Sequence, residues 1–190
     1  MAIKFGEIRK YLSRVVRLSI CFEDGHYDNY MLVSDIPKGK YDDLFVFGVG
    51  MIDVEFPLDV YTEPTELPQR FSRKNGFFLG SGLEIVLYEQ PRDIKRMNEE
   101  TLTFGDLRDY LQHGRNFSIV TKEDWLEEYY EWRIEIPEEY NDMYVYGIGI
   151  EDNPEEIIKC AHTRLINFSF LLDSSSNKRM RIVLSDNPRD

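Results

Sequence analysis

Cysteine is almost missing from this chain of 190 residues. Cys21 and Cys160 stand far apart, with neither a CxxC spacing nor a histidine cluster beside them, so no disulfide framework and no zinc site is signalled. Both read as small core residues. Histidine is nearly as scarce. His26, His113 and His162 are scattered, and no GxSxG, HExxH or Cys/His signature appears, which removes the familiar catalytic and metal motifs. No stretch approaches the ~18 apolar residues of a membrane-spanning helix, and the opening MAIKFGEIRK has no apolar run behind a basic head. The expectation is a cytoplasmic protein with no membrane partner, no metal and no cofactor. Positive charge is short as well, with 23 Lys and Arg against 35 Asp and Glu for a net of −12. That balance disfavours direct nucleic-acid binding, which draws its affinity from cations on phosphates, and leaves basic partners open.

What the chain does have is self-similarity. FGEIRKYL at 5–12 lies over FGDLRDYL at 104–111 with five of eight positions identical, and YDDLFVFGVGMID at 41–53 over YNDMYVYGIGIED at 140–152 with six of thirteen. IVLYEQPRD at 85–93 then matches IVLSDNPRD at 182–190. Blocks in the same order, about 97 to 99 residues apart, describe a tandem duplication of a unit of roughly 95 residues. Residues 1–96 form the first α+β repeat and 97–190 the second, joined by the charged IKRMNEET. The expected architecture is two similar lobes related by a pseudo-two-fold axis.

Each unit reads as a helix, a β-hairpin and further antiparallel strands. Thr103 with Asp106 three residues on has the form of a capping box, and Leu107, Tyr110 and Leu111 share one apolar face, as do Ile8, Tyr11 and Leu12. Taken alone, KEDWLEEYYEWRIEI at 122–136 passes as an amphipathic helix. Its counterpart EDGHYDNYMLVSDI at 23–36 carries Asp24-Gly25 and Asp28-Asn29, which is turn chemistry, so both segments are expected to be hairpins. The third strand falls at 44–52 and 143–150, the last at 83–88 and 180–185. Between them the copies diverge: one stretch is broken by prolines, and the other can hold a helix from Pro154 followed by a strand.

Gly48-x-Gly50 and Gly147-x-Gly149 invite a nucleotide-loop reading, but a third glycine and a following helix are missing, and acids come next. Glycines on one strand face are better explained by a close neighbour, the helix or the other lobe. Alternation then places Phe45, Phe47 and Val49 on the opposite face, matched by Tyr144, Tyr146 and Ile148. The two Phe-to-Tyr changes suggest a drier face in the first lobe and one nearer water or a partner in the second.

Charge divides the copies more sharply than anything else. The first holds 13 basic and 15 acidic residues, net −2, and the second 10 and 20, net −10. Within 121–156 there are 13 acids against Lys122 and Arg133, together with Trp125, Tyr129, Tyr130, Trp132 and Tyr140. Folding does not demand this imbalance. The expected function is a non-enzymatic protein-binding module that offers Glu123, Asp124, Trp125, Glu127, Glu128, Tyr130, Glu131, Trp132, Glu138 and Glu139 to a basic protein surface. A nucleic-acid-mimic inhibitor of a DNA- or RNA-handling enzyme, of the anti-restriction or anti-CRISPR kind, is one form such a module takes. The alternative is a small-ligand-binding or enzymatic protein using the cleft between the repeats, with Arg9, Arg108, Gly48, Gly50, Gly147 and Gly149 lining it.

Overall fold

Each half opens with phenylalanine and glycine because the next loop of its own half lies hard against that glycine. In the computed structural model, which describes residues 2–12, 17–57, 77–94, 101–112, 115–152 and 178–189, helices α1 (Phe5–Arg9) and α2 (Phe104–Arg108) are five residues long. A Cβ on Gly105 would stand 3.0 Å from the main-chain oxygen of Asn141, and one on Gly6 would stand 3.1 Å from that of Asp42. Main chain cannot step aside as a side chain does. Gly105→Ala is therefore expected to cost about 1–3 kcal/mol, the range for overpacking a filled site, read from urea midpoints at unchanged slope. The capping box forms as the sequence suggests: Asp106 N–H donates to Thr103 Oγ1 at 3.2 Å and Thr103 N–H to Asp106 Oδ2 at 3.3 Å. The helices are shorter than their apolar faces imply. Tyr110 and Leu111 lie beyond α2, drawn into main-chain bonds with the other half.

Strands β1 (Leu18–Phe22), β2 (Tyr27–Tyr30), β3 (Phe45–Pro57) and β4 (Phe77–Tyr88) form one sheet in the order β2-β1-β4-β3. Strands β5 (Arg115–Thr121), β6 (Glu127–Trp132), β7 (Tyr144–Asp152) and β8 (Lys178–Ser185) form a second in the order β6-β5-β8-β7. The expected hairpins are present as the antiparallel pairs β1–β2 and β5–β6, and β3–β4 and β7–β8 are antiparallel too. The central pairs β1–β4 and β5–β8 are parallel, so each sheet is mixed. Asp28-Asn29 is not a turn. It lies within β2, while Asp24-Gly25 makes the reversal with Gly25 at φ 81°, a conformation glycine adopts without steric cost. The proline-rich stretch, the helix and strand expected after Pro154, most of the linker, and Cys160, His113 and His162 lie outside the described residues. Among the described residues no helix is long and apolar enough to cross a membrane.

The strict alternation expected along the glycine strand does not hold. In β3 the register against β4 slips between Val46 and Gly48, and in β7 the register against β8 slips between Val145 and Gly147. Phe47 and Tyr146 are thus the extra residues of matching β-bulges. Val46 and Val49 both point into the core at 0% exposure, while Phe47 turns outward at 38%. Phe47 and Val49 therefore do not share a face, and neither do Tyr146 and buried Ile148. The extra residue resets the phase that alternation assumes.

The glycines do admit a close neighbour, and it comes from the other half. A Cβ on Gly48 would stand 2.5 Å from Gln112 Nε2, and one on Gly50 would stand 2.7 Å from Gln112 Oε1. Gln112 arrives there because the chain leaving α2 runs alongside β3. Val49 N–H donates to the Tyr110 carbonyl at 2.7 Å, and Gln112 N–H to the Val49 carbonyl at 2.8 Å. The chain leaving α1 does the same to β7, where Ile148 N–H donates to the Tyr11 carbonyl at 2.7 Å. Each half thus lends a segment to the other's sheet.

The third repeated block closes this joint. Arg92 donates to the carbonyl of the bulge residue Phe47 at 2.9 Å and to that of Asp109 at 3.1 Å, and its guanidinium lies 5.5 Å from the Tyr110 ring centroid. Arg189 donates to the Tyr146 carbonyl at 2.7 Å and lies 5.9 Å from the Tyr11 ring. The core is one continuous cluster that draws Phe5, Ile8, Ile20 and Val49 from the first half and Phe104, Leu107, Ile119 and Ile148 from the second.

Candidate functional site

If the repeated residues build the joint, the sequence left for function is what the halves do not share. The hairpin of the second half differs most. Its turn is held by Asp124, whose carboxylate accepts from Leu126 N–H at 3.1 Å and from the Thr121 hydroxyl, as Asp24 accepts from His26 N–H at 2.9 Å in the first half. The hydroxyl of Thr121 and the amide of Leu126 hold the Asp124 carboxyl below the usual carboxylate range. Glu123 ties the turn to the end of β8, accepting from Ser185 Oγ at 2.6 Å and Asp186 N–H at 3.0 Å, and those bonds lower its carboxyl likewise. These two acids fix the shape of the turn.

On that turn, at the place of Gly25, stands Trp125 with φ 55°. A left-handed backbone costs a bulky residue about 1–2 kcal/mol, and the ring recovers little by packing, since 69% of the residue is exposed. Leu126 beside it is 51% exposed, and Ile134, just past β6, is 90% exposed. Sequence reasoning missed both aliphatic residues. The signal for them was positional: they stand where the first half has His26 and Ser34.

β6 is the edge strand of its sheet, and its register divides the expected residues between two faces. Glu128 and Tyr130 stand opposite Ile119 and Phe117 on the core side, Trp132 pairs with Arg115 in the register at the strand's end, and Glu127 and Tyr129 stand opposite Val120 and Ser118. Glu127 accepts from the Ser118 hydroxyl at a short distance of 2.5 Å and lies 4.0 Å from Arg181, and Arg179 lies 3.9 Å from the Tyr129 ring. Glu127 is thus partly neutralised. Glu131, Glu138 and Glu139 face solvent, and Glu138 lies close enough to Arg108 for its charge to act on that guanidinium. Glu155 and Glu156 lie outside the described residues. The two cations of this stretch turn inward: Lys122 sits 3.8 Å from the Tyr146 ring centroid, and Arg133 donates to the Arg108 and Leu111 carbonyls at 3.1 and 3.0 Å. Among the described residues Glu131 and Glu139 are therefore left facing water.

The other candidates have different company. Arg9 donates to the Ile36 carbonyl at 2.5 Å and the Pro37 carbonyl at 3.3 Å, and Arg108 donates to the Ile136 and Pro137 carbonyls and to Asn141 Oδ1 at 2.9 Å. Both guanidiniums brace the loop that leads into the glycine strand of their own half. Gly48 and Gly50 lie beneath Gln112, while a Cβ on Gly147 would stand 3.8 Å from the Tyr11 carbonyl oxygen, its nearest neighbour among the described residues; Ser13, which matches Gln112, is outside them. Cys21 is a free, half-buried thiol pushed up first by burial and then by Glu84. Among the described residues no group of three or more His, Cys, Asp or Glu has the geometry to hold a metal ion.

Both halves contain a carboxylate and two tyrosines joined in one hydrogen-bonded cluster. Asp28 accepts from the Tyr41 hydroxyl, which lies 2.7 Å from that of Tyr30. Glu128 accepts from the Tyr130 hydroxyl and, at 3.1 Å, from that of Tyr140. Burial first, and then the bonded carboxylate, raise the phenols of Tyr41, Tyr130 and Tyr140 above the ordinary value of about 10. Below that value both folded and unfolded chains keep these protons. Above it the unfolded chain releases them first, so stability falls as pH rises through the window. The expected result is a urea midpoint level between pH 7 and 9 that drops above pH 10, with a shallower drop in Tyr130→Phe.

Comparison with known protein families, with curated proteins and with solved structures returns no match for this chain.

Proposed function

We propose that this chain is a non-enzymatic binding protein whose second half presents an acidic, aromatic hairpin to a basic protein. We infer as well that its halves are copies of one unit, related by an approximate two-fold axis and locked by exchanging the segments that leave their helices. The observation that carries the binding reading is Trp125. A large ring is held in water on a backbone conformation that suits glycine, at a position where the first half has glycine. Backbone strain of this kind concentrates at working sites.

Charge supports the same surface. Glu131 and Glu139 meet solvent without a cation of their own among the described residues, an arrangement that steers a basic surface toward the hairpin while exposed Trp and Leu supply contact area. One form of such a protein is a nucleic-acid mimic that inhibits a DNA- or RNA-handling enzyme, with carboxylates standing in for phosphates and rings for bases. The test is capture of basic proteins from the native cell by immobilised wild type and by Trp125→Gly. Loss of the same proteins from the variant supports the reading, and equal capture by both refutes it.

A further inference from the structure

The two carboxylate–tyrosine clusters differ most in the cation that only the first one holds. In the first half Lys40 Nζ donates to Asp28 Oδ2 at 3.0 Å and to the Tyr30 hydroxyl at 3.0 Å. The same ammonium lies 4.7 Å from the centroid of the Tyr41 ring and 5.7 Å from that of Tyr30. A carboxylate, a phenol oxygen and two ring faces surround one cation, each a recognised partner for an ammonium group. His26 Nε2 stands at the rim, 3.6 Å from Asp28 Oδ1.

The second half repeats the carboxylate as Glu128 and the phenols as Tyr130 and Tyr140, in matching places: Tyr30 pairs with Leu18 as Tyr130 does with Phe117, and Asp28 pairs with Ile20 as Glu128 does with Ile119. The residue before the second tyrosine is changed. Where Tyr41 follows Lys40, Tyr140 follows Glu139. Among the described residues no lysine or arginine pairs with Glu128, and Leu126 takes the place of His26. The first half therefore displays, within the same molecule, the cation that this constellation accepts.

We propose that Glu128, Tyr130 and Tyr140 receive a lysine side chain of the basic partner, its ammonium set against the carboxylate and the two rings as that of Lys40 is, with Glu139 as a second carboxylate. This deepens the binding reading above and rests on it. Lysine fits better than arginine, because an ammonium is a compact donor that can reach a single oxygen, whereas a guanidinium fork seeks both oxygens of a free carboxylate. Here one oxygen of Glu128, Oε2, already accepts from both phenols.

The probe is a hexalysine peptide titrated into the full chain at low ionic strength, with the ring resonances of Tyr130 and Tyr140 followed by NMR. Wild type should bind with shifts at both rings. Glu139→Lys, which supplies the cation internally as the first half does, should weaken binding at least tenfold. Asp142→Lys, the same charge change on an exposed acid of the same turn, should weaken it less than threefold. Matching amide spectra will establish that both variants fold. Equal weakening by both overturns the lysine seat and leaves a diffuse acidic surface standing, while no weakening by either overturns that surface too.

Discussion

Tyr110→Ala is expected to cost the protein at least about 4 kcal/mol and to loosen both sheets together. Removing a fully buried aromatic ring costs about 3–5 kcal/mol, and Tyr110 is only 2% exposed. Its hydroxyl also accepts from Ile3 N–H at 3.2 Å, and a buried amide left without a partner adds about 1–3 kcal/mol. The ring belongs to the second half, yet Ile3, Val49 and Arg92, which meet this residue, all belong to the first. A domain of this size is stable by only about 5–15 kcal/mol, so the loss takes a large share of the whole. Hydrogen exchange provides the check. The amides of Val49, Ile20 and Leu83 should lose protection in parallel with those of Ile119 and Ile182. Unchanged protection in the first sheet would mean that the halves are independent and that the exchanged segments are incidental.

The second large effect runs the other way. Trp125→Gly is expected to raise stability by about 0.5–1 kcal/mol. Relief of the left-handed backbone returns about 1–2 kcal/mol, and the added freedom of glycine in the unfolded chain takes back about 0.5–1. A ring that is 69% exposed has little packing to lose. Most substitutions at a residue that serves the fold destabilise, so a rise in urea midpoint would single out Trp125 as kept for another purpose. The same variant should lose the basic partner, since an exposed tryptophan at the tip of an acidic hairpin is the strongest anchor this surface offers. Raising salt should weaken the wild-type complex and leave the apolar part of the docking intact.

Much of the architecture was legible because it is written twice. The second hairpin, helical by its own periodicity, is legible only through Asp24-Gly25 and Asp28-Asn29 in the matching segment, and of these only Asp24-Gly25 makes the turn. The bulges were not legible. A single extra residue resets the inside–outside phase, and nothing in FVFGVG or YVYGIG marks Phe47 or Tyr146 as that residue before the partner strand is known. Nor could the origin of the glycines' neighbour be read, because Gln112 reaches Gly48 and Gly50 only through the crossing of the two halves. At the candidate site the acids and rings were visible as composition, but their division was not. Glu123 and Asp124 serve the turn and Glu127 meets Arg181, while the exposure of Leu126 and Ile134 is legible only from their matches, His26 and Ser34, because a lone aliphatic residue in a charged run carries no signal by itself.

The central claim is that the repeated residues hold the molecule together and that the unrepeated hairpin meets a partner. Its most direct test is the quantitative comparison of proteins retained from the native cell by wild type and by Trp125→Gly at low salt. Wild type should hold a small set of basic proteins that are missing from a variant at least as stable. Retention of the same proteins in the same amounts by both would contradict that claim.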